Sequence, residues 1–150
     1  MHTNLYPSHI LLDEAGEVVL KGFGAHYPIR IEGGLVLGPV QYLAPEQLPD
    51  VAKPVSQTDI YSLAEVVFLL LTGTRRFHDQ DVRELLQSKQ LREVTGVTGP
   101  RQTLPGSVAL VLKRALAFRP EDRYESASQF VNELELASHQ KSPKWWNLWR

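Results

Sequence analysis

A chain of 150 residues with 43% apolar composition is long enough for one compact domain with a real core, which excludes a disordered chain. Sixteen Lys and Arg stand against seventeen Asp and Glu, a formal charge of -1, so a generally basic protein is excluded and nucleic acid is not an expected partner. Without cysteine there is no disulfide, thiolate nucleophile or Cys-ligated metal, and without a signal-peptide pattern the expected compartment is cytoplasmic.

The first predicted element is a β-hairpin. In "ILLDEAGEVVLKGF", residues 10–23, two apolar runs flank the turn signal "DEAG". Residues 24–45 carry Gly24, Gly33, Gly34, Gly38, Pro28, Pro39 and Pro45, which predicts a long irregular segment of the kind that is usually functional or disordered. "SQTDIYSLAEVVFLLLTG" opens on polar capping candidates and closes on Gly73, as a helix should, and its apolar residues cover nearly all faces, which places it centrally. Its run from Leu63 to Leu71 contains Glu65 and is too short to cross a bilayer. "DQDVRELLQSKQL" predicts an amphipathic surface helix, and "SVALVLKRALAF" and "SASQFVNELELASH" predict helices packed on one side. The composition changes only in the last stretch, "KSPKWWNLWR".

The order of these segments is more specific than any one of them. "MHTNLYPSHILLDEAGEVVLKGFG", "GPVQYLAPEQL", "SQTDIYSLAEVVFLLLTG" and "RPEDRYESASQF" together resemble the C-terminal lobe of a eukaryotic-type Ser/Thr protein kinase of the bacterial kind, from catalytic loop to last helix, over residues 1–138. The implied fold is mainly α with a short β-hairpin: a kinase-like C-lobe without the N-lobe and the first helices of the lobe. Residues 139–150 form a separate basic and aromatic tail.

The chemistry is where the resemblance fails. Protein kinases carry H-R-D-L-x-x-x-N, whose Asp accepts the substrate proton and whose Asn holds one magnesium, then D-F-G, whose Asp holds another. In "HTNLYPSH", His2 is kept, Thr3 replaces Arg, Asn4 replaces the catalytic Asp, Tyr6 replaces the common Lys and His9 replaces the metal-binding Asn; Gly22 replaces the D-F-G Asp. An amide has no useful basicity near neutral pH, and glycine offers no ligand to a hard cation. No catalytic residue, cofactor or metal is therefore expected. Grouping His2, His9 and His26 into a metal site matches no known spacing, and a packed or solvated loop histidine is the simpler reading. The segment between Gly24 and Glu46 has no Ser or Thr to phosphorylate, and Gly38-Pro39 stands where the family has Gly-Thr.

The resemblance keeps structural residues. Asp59 matches the aspartate of the central helix that accepts catalytic-loop amides, with a plain helix cap as the alternative. Glu46 and Arg123 match an ion pair tying the activation segment to the turn before the last helix, with a solvated Arg123 as the alternative. In the family Leu63, Val66, Val67 and Leu70 would bury against a helix that precedes Met1, so the sequence reads as a C-terminal piece of a longer frame, or as a chain needing a partner surface. The expected function is that of a catalytically inactive pseudokinase fragment serving as a protein-binding or regulatory module. Two alternatives stand beside it: a split or truncated kinase that regains phosphotransfer when an N-lobe completes it, and a membrane-proximal module. For the last, Trp145, Trp146 and Trp149 beside Lys141, Lys144 and Arg150 suit either a membrane interface, as a weak anchor, or a protein contact.

Overall fold

The computed structural model describes residues 1–23, 31–32, 35–36, 39–48, 53–77, 82–91 and 104–139. An irregular N-terminal segment, bent at Thr3, and a 3-10 turn at Pro7–His9 lead into strand β1 (Ile10–Leu12), which pairs antiparallel with β2 (Val18–Leu20) in the register Ile10 to Leu20, Leu11 to Val19 and Leu12 to Val18. The turn between them is set by Asp13. Its carboxylate Oδ1 accepts the amides of Ala15 at 2.9 Å and Glu17 at 2.8 Å, its carbonyl accepts the Gly16 amide at 3.0 Å, and Gly16 takes the left-handed φ of 84° that favours glycine. Because successive strand residues point to opposite faces, Leu12 and Val18 share one face and Leu11 and Val19 the other. Both faces are thus apolar, and Leu12 at 71% and Val18 at 63% are largely exposed.

The segment expected to be irregular contains more order than its Gly and Pro content suggested. Ile31–Glu32 (β3) and Leu35–Val36 (β4) form a two-stranded ribbon, and 3-10 turns follow at Val40–Tyr42 and Pro45–Gln47; residues 24–30, 33–34 and 37–38 lie outside the described residues. Strands of two residues are too short to show alternation, although the Gly33-Gly34 pair between them in sequence is a hairpin signal.

Helix α1 (Ser56–Thr72) is the axis of the lobe, as its apolar run predicts. It ends where Gly73 adopts φ 75°, its amide donating to the Leu69 carbonyl at 2.8 Å. Ile60, Tyr61, Ala64 and Phe68 on α1 pack with Val108, Val111 and Leu112 of α3 (Gly106–Ala115) and with Phe130 and Ala137 of α4 (Ala127–His139). The Ser107 hydroxyl donates to the Ala137 carbonyl at 2.8 Å, fixing the start of α3 to the end of α4. Of the α1 residues expected to form an open face, Val66 is instead buried, Leu63 and Val67 are half-buried, and Leu70 alone is exposed. Among the described residues, the β1–β2 hairpin carries a group of exposed apolar side chains, Leu11, Leu12, Val18, Val19 and Leu20. Among the described residues no helix is long and apolar enough to cross a membrane.

A second cluster of Val40, Leu48, Phe77 and Leu85 joins the turns before α1 to α2 (Val82–Leu91). The helix is amphipathic as expected, with Leu85 buried and Gln87 and Gln90 exposed, but Lys89, one turn beyond Leu85, is buried as well. Its Nζ donates to the Gln41 carbonyl at 3.0 Å and the Tyr61 hydroxyl at 3.3 Å, lies 3.8 Å from Glu65, and sits over the Tyr61 and Phe77 rings. A lysine stem is apolar enough to be buried when its ammonium finds such partners, so charge alone did not mark the solvent face. Glu65 is also held by Arg76 at 2.9 Å.

Burial pulls the Lys89 ammonium down from 10.5 to about 7, against the opposing pull of Glu65. From about pH 7 towards 10.5 the unfolded chain holds a proton that the folded chain has released, so stability rises with pH across that window. Urea unfolding at a series of pH values should show a slope approaching ~1.4 kcal/mol per pH unit, the equivalent of one proton. Lys89→Met should flatten it, and an equal slope in both proteins would place the lysine in solvent.

Candidate functional site

The N-terminal loop is held from below by α1. Asp59, the fourth residue of the helix, accepts the backbone amides of His2 and Thr3, each at 2.6 Å, one on each carboxylate oxygen. It is therefore an anchor for the loop and not a helix cap. Thr3 takes a left-handed φ of 64°, uncommon for a side chain branched at Cβ, and its hydroxyl donates to the His2 carbonyl at 2.7 Å. The Thr3 carbonyl accepts the Gln47 side-chain amide at 2.6 Å, and Gln47 Oε1 accepts the Ala44 amide at 3.0 Å. One glutamine thus clips the loop to the turn at 45–47. His2 donates through Nε2 to the Lys21 carbonyl at 2.9 Å and accepts the Asn4 amide on Nδ1 at 3.3 Å, which ties the loop to the end of the hairpin. Its ring lies 4.3 Å from that of Phe23.

Glu46 and Arg123 form the pair that the sequence suggested, and it is buried. Arg123 Nη1 and Nη2 reach the two oxygens of Glu46 at 2.7 and 2.8 Å, a bidentate match of two planar groups. The remaining donors go to carbonyls: Nε to Ala117 at 2.9 Å, Nη1 to Gln57 at 3.1 Å and Nη2 to Phe118 at 3.0 Å. All five N–H groups of the guanidinium are used. The Thr58 hydroxyl adds a donor to Glu46 at 2.7 Å. Burial acts to raise the Glu46 carboxyl, but hydrogen bonding and charge from Arg123 outweigh it and hold the group below its ordinary value.

Asn4, His9 and Gly22 are brought together, as the motif positions require. His9 is buried and donates through Nδ1 to the Asn4 carbonyl at 2.8 Å, with its ring 4.0 Å from that of Tyr6. Asn4 is buried too, and among the described residues its Nδ2 finds no hydrogen-bond partner. Gly22 has φ 81°, and a Cβ built on it would lie 2.4 Å from His9 Cε1. The magnesium that the kinase motif implies does not fit these residues. The orphan polar atom is a donor of the wrong sign for a cation, position 22 has no ligating atom, and the space beside it is filled by an imidazole. Among the described residues no group of His, Asp and Glu is arranged to hold a metal; His26 lies outside them. So do Gly38 and the tail residues Trp145, Trp146 and Trp149.

The sequence did not single out Gln47, Thr58 or the Glu65, Arg76 and Lys89 group. For the last, the visible signal was Glu65 inside an otherwise apolar helical run, which demands buried partners.

Comparison with known proteins agrees with this architecture. The chain is 32% identical over 148 residues to the Ser/Thr protein kinase Pkn1 of Myxococcus xanthus, an alignment that covers 91% of this chain and 21% of that protein. It is 31% identical over 146 residues to the tyrosine-protein kinase MasK of the same species, covering 93% and 22%, and 28% identical over 141 residues to the Ser/Thr kinase PrkC of Bacillus subtilis, covering 91% and 22%. No protein-family model matches. With its mainly helical fold and two-stranded hairpin, the chain is similar to bacterial protein kinases in a way consistent with a fragment of their C-lobe. It spans only about a fifth of the length of these relatives.

Arg123→Ala should destabilise the chain by about 3–5 kcal/mol, because it leaves the Glu46 carboxylate buried without its counter-charge. Asp59→Ala should cost about 3–6 kcal/mol through two lost hydrogen bonds to a carboxylate and speed hydrogen exchange at the His2 and Thr3 amides. Chemical denaturation and exchange measured by NMR check both; unchanged values would contradict the anchoring.

Proposed function

We propose that this chain is a catalytically inactive kinase C-lobe that acts as a protein-binding or regulatory module. The observation that carries the reading is the arrangement at the loop. Where a kinase needs a carboxylate to accept the substrate proton, this chain has the amide of Asn4, and where it needs ligands for magnesium it has His9 and Gly22 in contact. Phosphoryl transfer depends on positioning and on neutralising developing charge, and neither role has a group here to fill it.

The residues that hold the lobe together support the second half of the reading. The Asp59 anchor and the Glu46–Arg123 pair keep the loop and helices in a kinase-like arrangement without serving chemistry. The hairpin meanwhile presents Leu11, Leu12, Val18, Val19 and Leu20 to solvent, an apolar surface suited to a protein partner.

Calorimetric titration of the chain with Mg-ATP should give no saturable heat, and incubation with labelled ATP and a generic protein substrate should transfer no phosphate. A magnesium-dependent, saturable response that disappears on changing His9 would overturn the reading. Leu12→Lys with Val18→Glu should leave the melting temperature nearly unchanged, since both side chains are exposed and the new charges are opposite across the strand pair, while abolishing any activity of the chain that runs through this surface.

A further inference from the structure

We propose that His9 and Gly22 are an interlocked pair: the His9 imidazole occupies the volume that any side chain at position 22 would require, so the two former metal positions are closed by packing as well as emptied of ligands. The inference deepens the inactive reading and rests on it only for the identity of the two positions; the packing claim stands by itself.

The hairpin register creates the meeting. Beyond the Ile10 to Leu20 pair, the Lys21 amide donates to the His9 carbonyl at 3.0 Å, so His9 is the next rung of the ladder and Gly22 follows it directly. A Cβ on Gly22 would lie 2.4 Å from His9 Cε1, 2.6 Å from Nδ1 and 2.9 Å from Nε2, three atoms of one ring and all inside van der Waals contact. Such a clash is mild when the obstacle is the loose end of a side chain. This ring is not loose. Its Nδ1 is bonded to the Asn4 carbonyl, its face meets Tyr6, and the residue is buried. Rotating it away breaks that bond and moves a polar ring through packed surroundings.

Two consequences follow for the sequence. Glycine at 22 is required by the histidine at 9 in addition to the left-handed φ of 81°, which an aspartate tolerates better than most side chains do. An aspartate restored at 22 alone therefore cannot be accommodated while His9 remains, and the lost carboxylate is not recoverable in a single step.

A double-mutant cycle in the 150-residue chain tests this, with Gly22→Ala made in the wild-type and in the His9→Ala background. The backbone strain of a Cβ at 22 is common to both and cancels; the clash with the ring is present in only one. Gly22→Ala should raise the unfolding equilibrium constant at least about tenfold more with His9 than without it, within the range seen for residues in contact. Equal effects in the two backgrounds would overturn the interlock. If Gly22→Ala alone cannot be recovered folded, cooperative melting of the double variant supports the proposal and its failure to fold overturns it. Gly22→Asp with His9 retained should show no rise in melting temperature with magnesium chloride, and a saturable rise would show that the ring yields. Failure of the inactive reading would appear separately, as Mg-ATP binding by the unaltered chain.

Discussion

The Arg123 guanidinium is the constraint on which the rest of the lobe depends. It reaches across 77 residues to Glu46 and simultaneously bonds the first turn of α1 through Gln57 and the end of the α3 connection through Ala117 and Phe118. Three separate stretches of chain thus meet at one planar group whose five donors are all satisfied. A buried charge tolerates no partial version of this arrangement. If any one stretch shifts, a donor or a carboxylate oxygen is left dry, and the cost of that, about 1–3 kcal/mol, is a large fraction of the stability of a small domain.

The same helix carries this polarity further. Thr58, Tyr61 and Glu65 lie along one stripe of α1, three and four residues apart, and all are buried. Thr58 serves Glu46, and Glu65 serves Arg76 and Lys89. Between them the Tyr61 ring faces the Arg123 guanidinium at 4.9 Å and the Lys89 ammonium at 4.8 Å. The central helix is therefore a polar spine inside an apolar sheath. The two ends differ in how completely their charges are met. At the first, a bidentate pair holds a carboxylate ionised. At the other, the nearest Lys89–Glu65 approach is 3.8 Å, and burial outweighs it enough to draw the lysine towards neutrality.

Support of the loop does not depend on chemistry in this chain. Asp59 still receives the loop amides as a carboxylate must, because its task is to satisfy backbone donors and nothing in that task depends on a substrate. The loop that it anchors is tied further by its own histidines. His9 meets the Asn4 carbonyl, His2 meets the Lys21 carbonyl, and the loop remains ordered by hydrogen bonds. The loop's shape is thus set by anchors that need no substrate.

The sequence alone determined the helices of the core and the hairpin, since apolar periodicity, the Gly73 stop and the turn signal at Asp13 are local properties written into short stretches; it marked Asp59, Glu46 and Arg123 only through the kinase resemblance, with a helix cap and a solvated arginine left open. It also showed which kinase groups are missing, because a missing carboxylate is visible as a letter. It could not show that Lys89 turns inward, that Val66 is buried while Leu70 is exposed, or that a ribbon forms between Ile31 and Val36. Those depend on which surfaces meet, and two-residue strands and a single lysine carry no period to read. The contact of His9 with Gly22 belongs to the same class. Thirteen positions apart in sequence, they touch only because the hairpin register places one rung beside the other, and only tertiary structure decides how two substitutions share a volume.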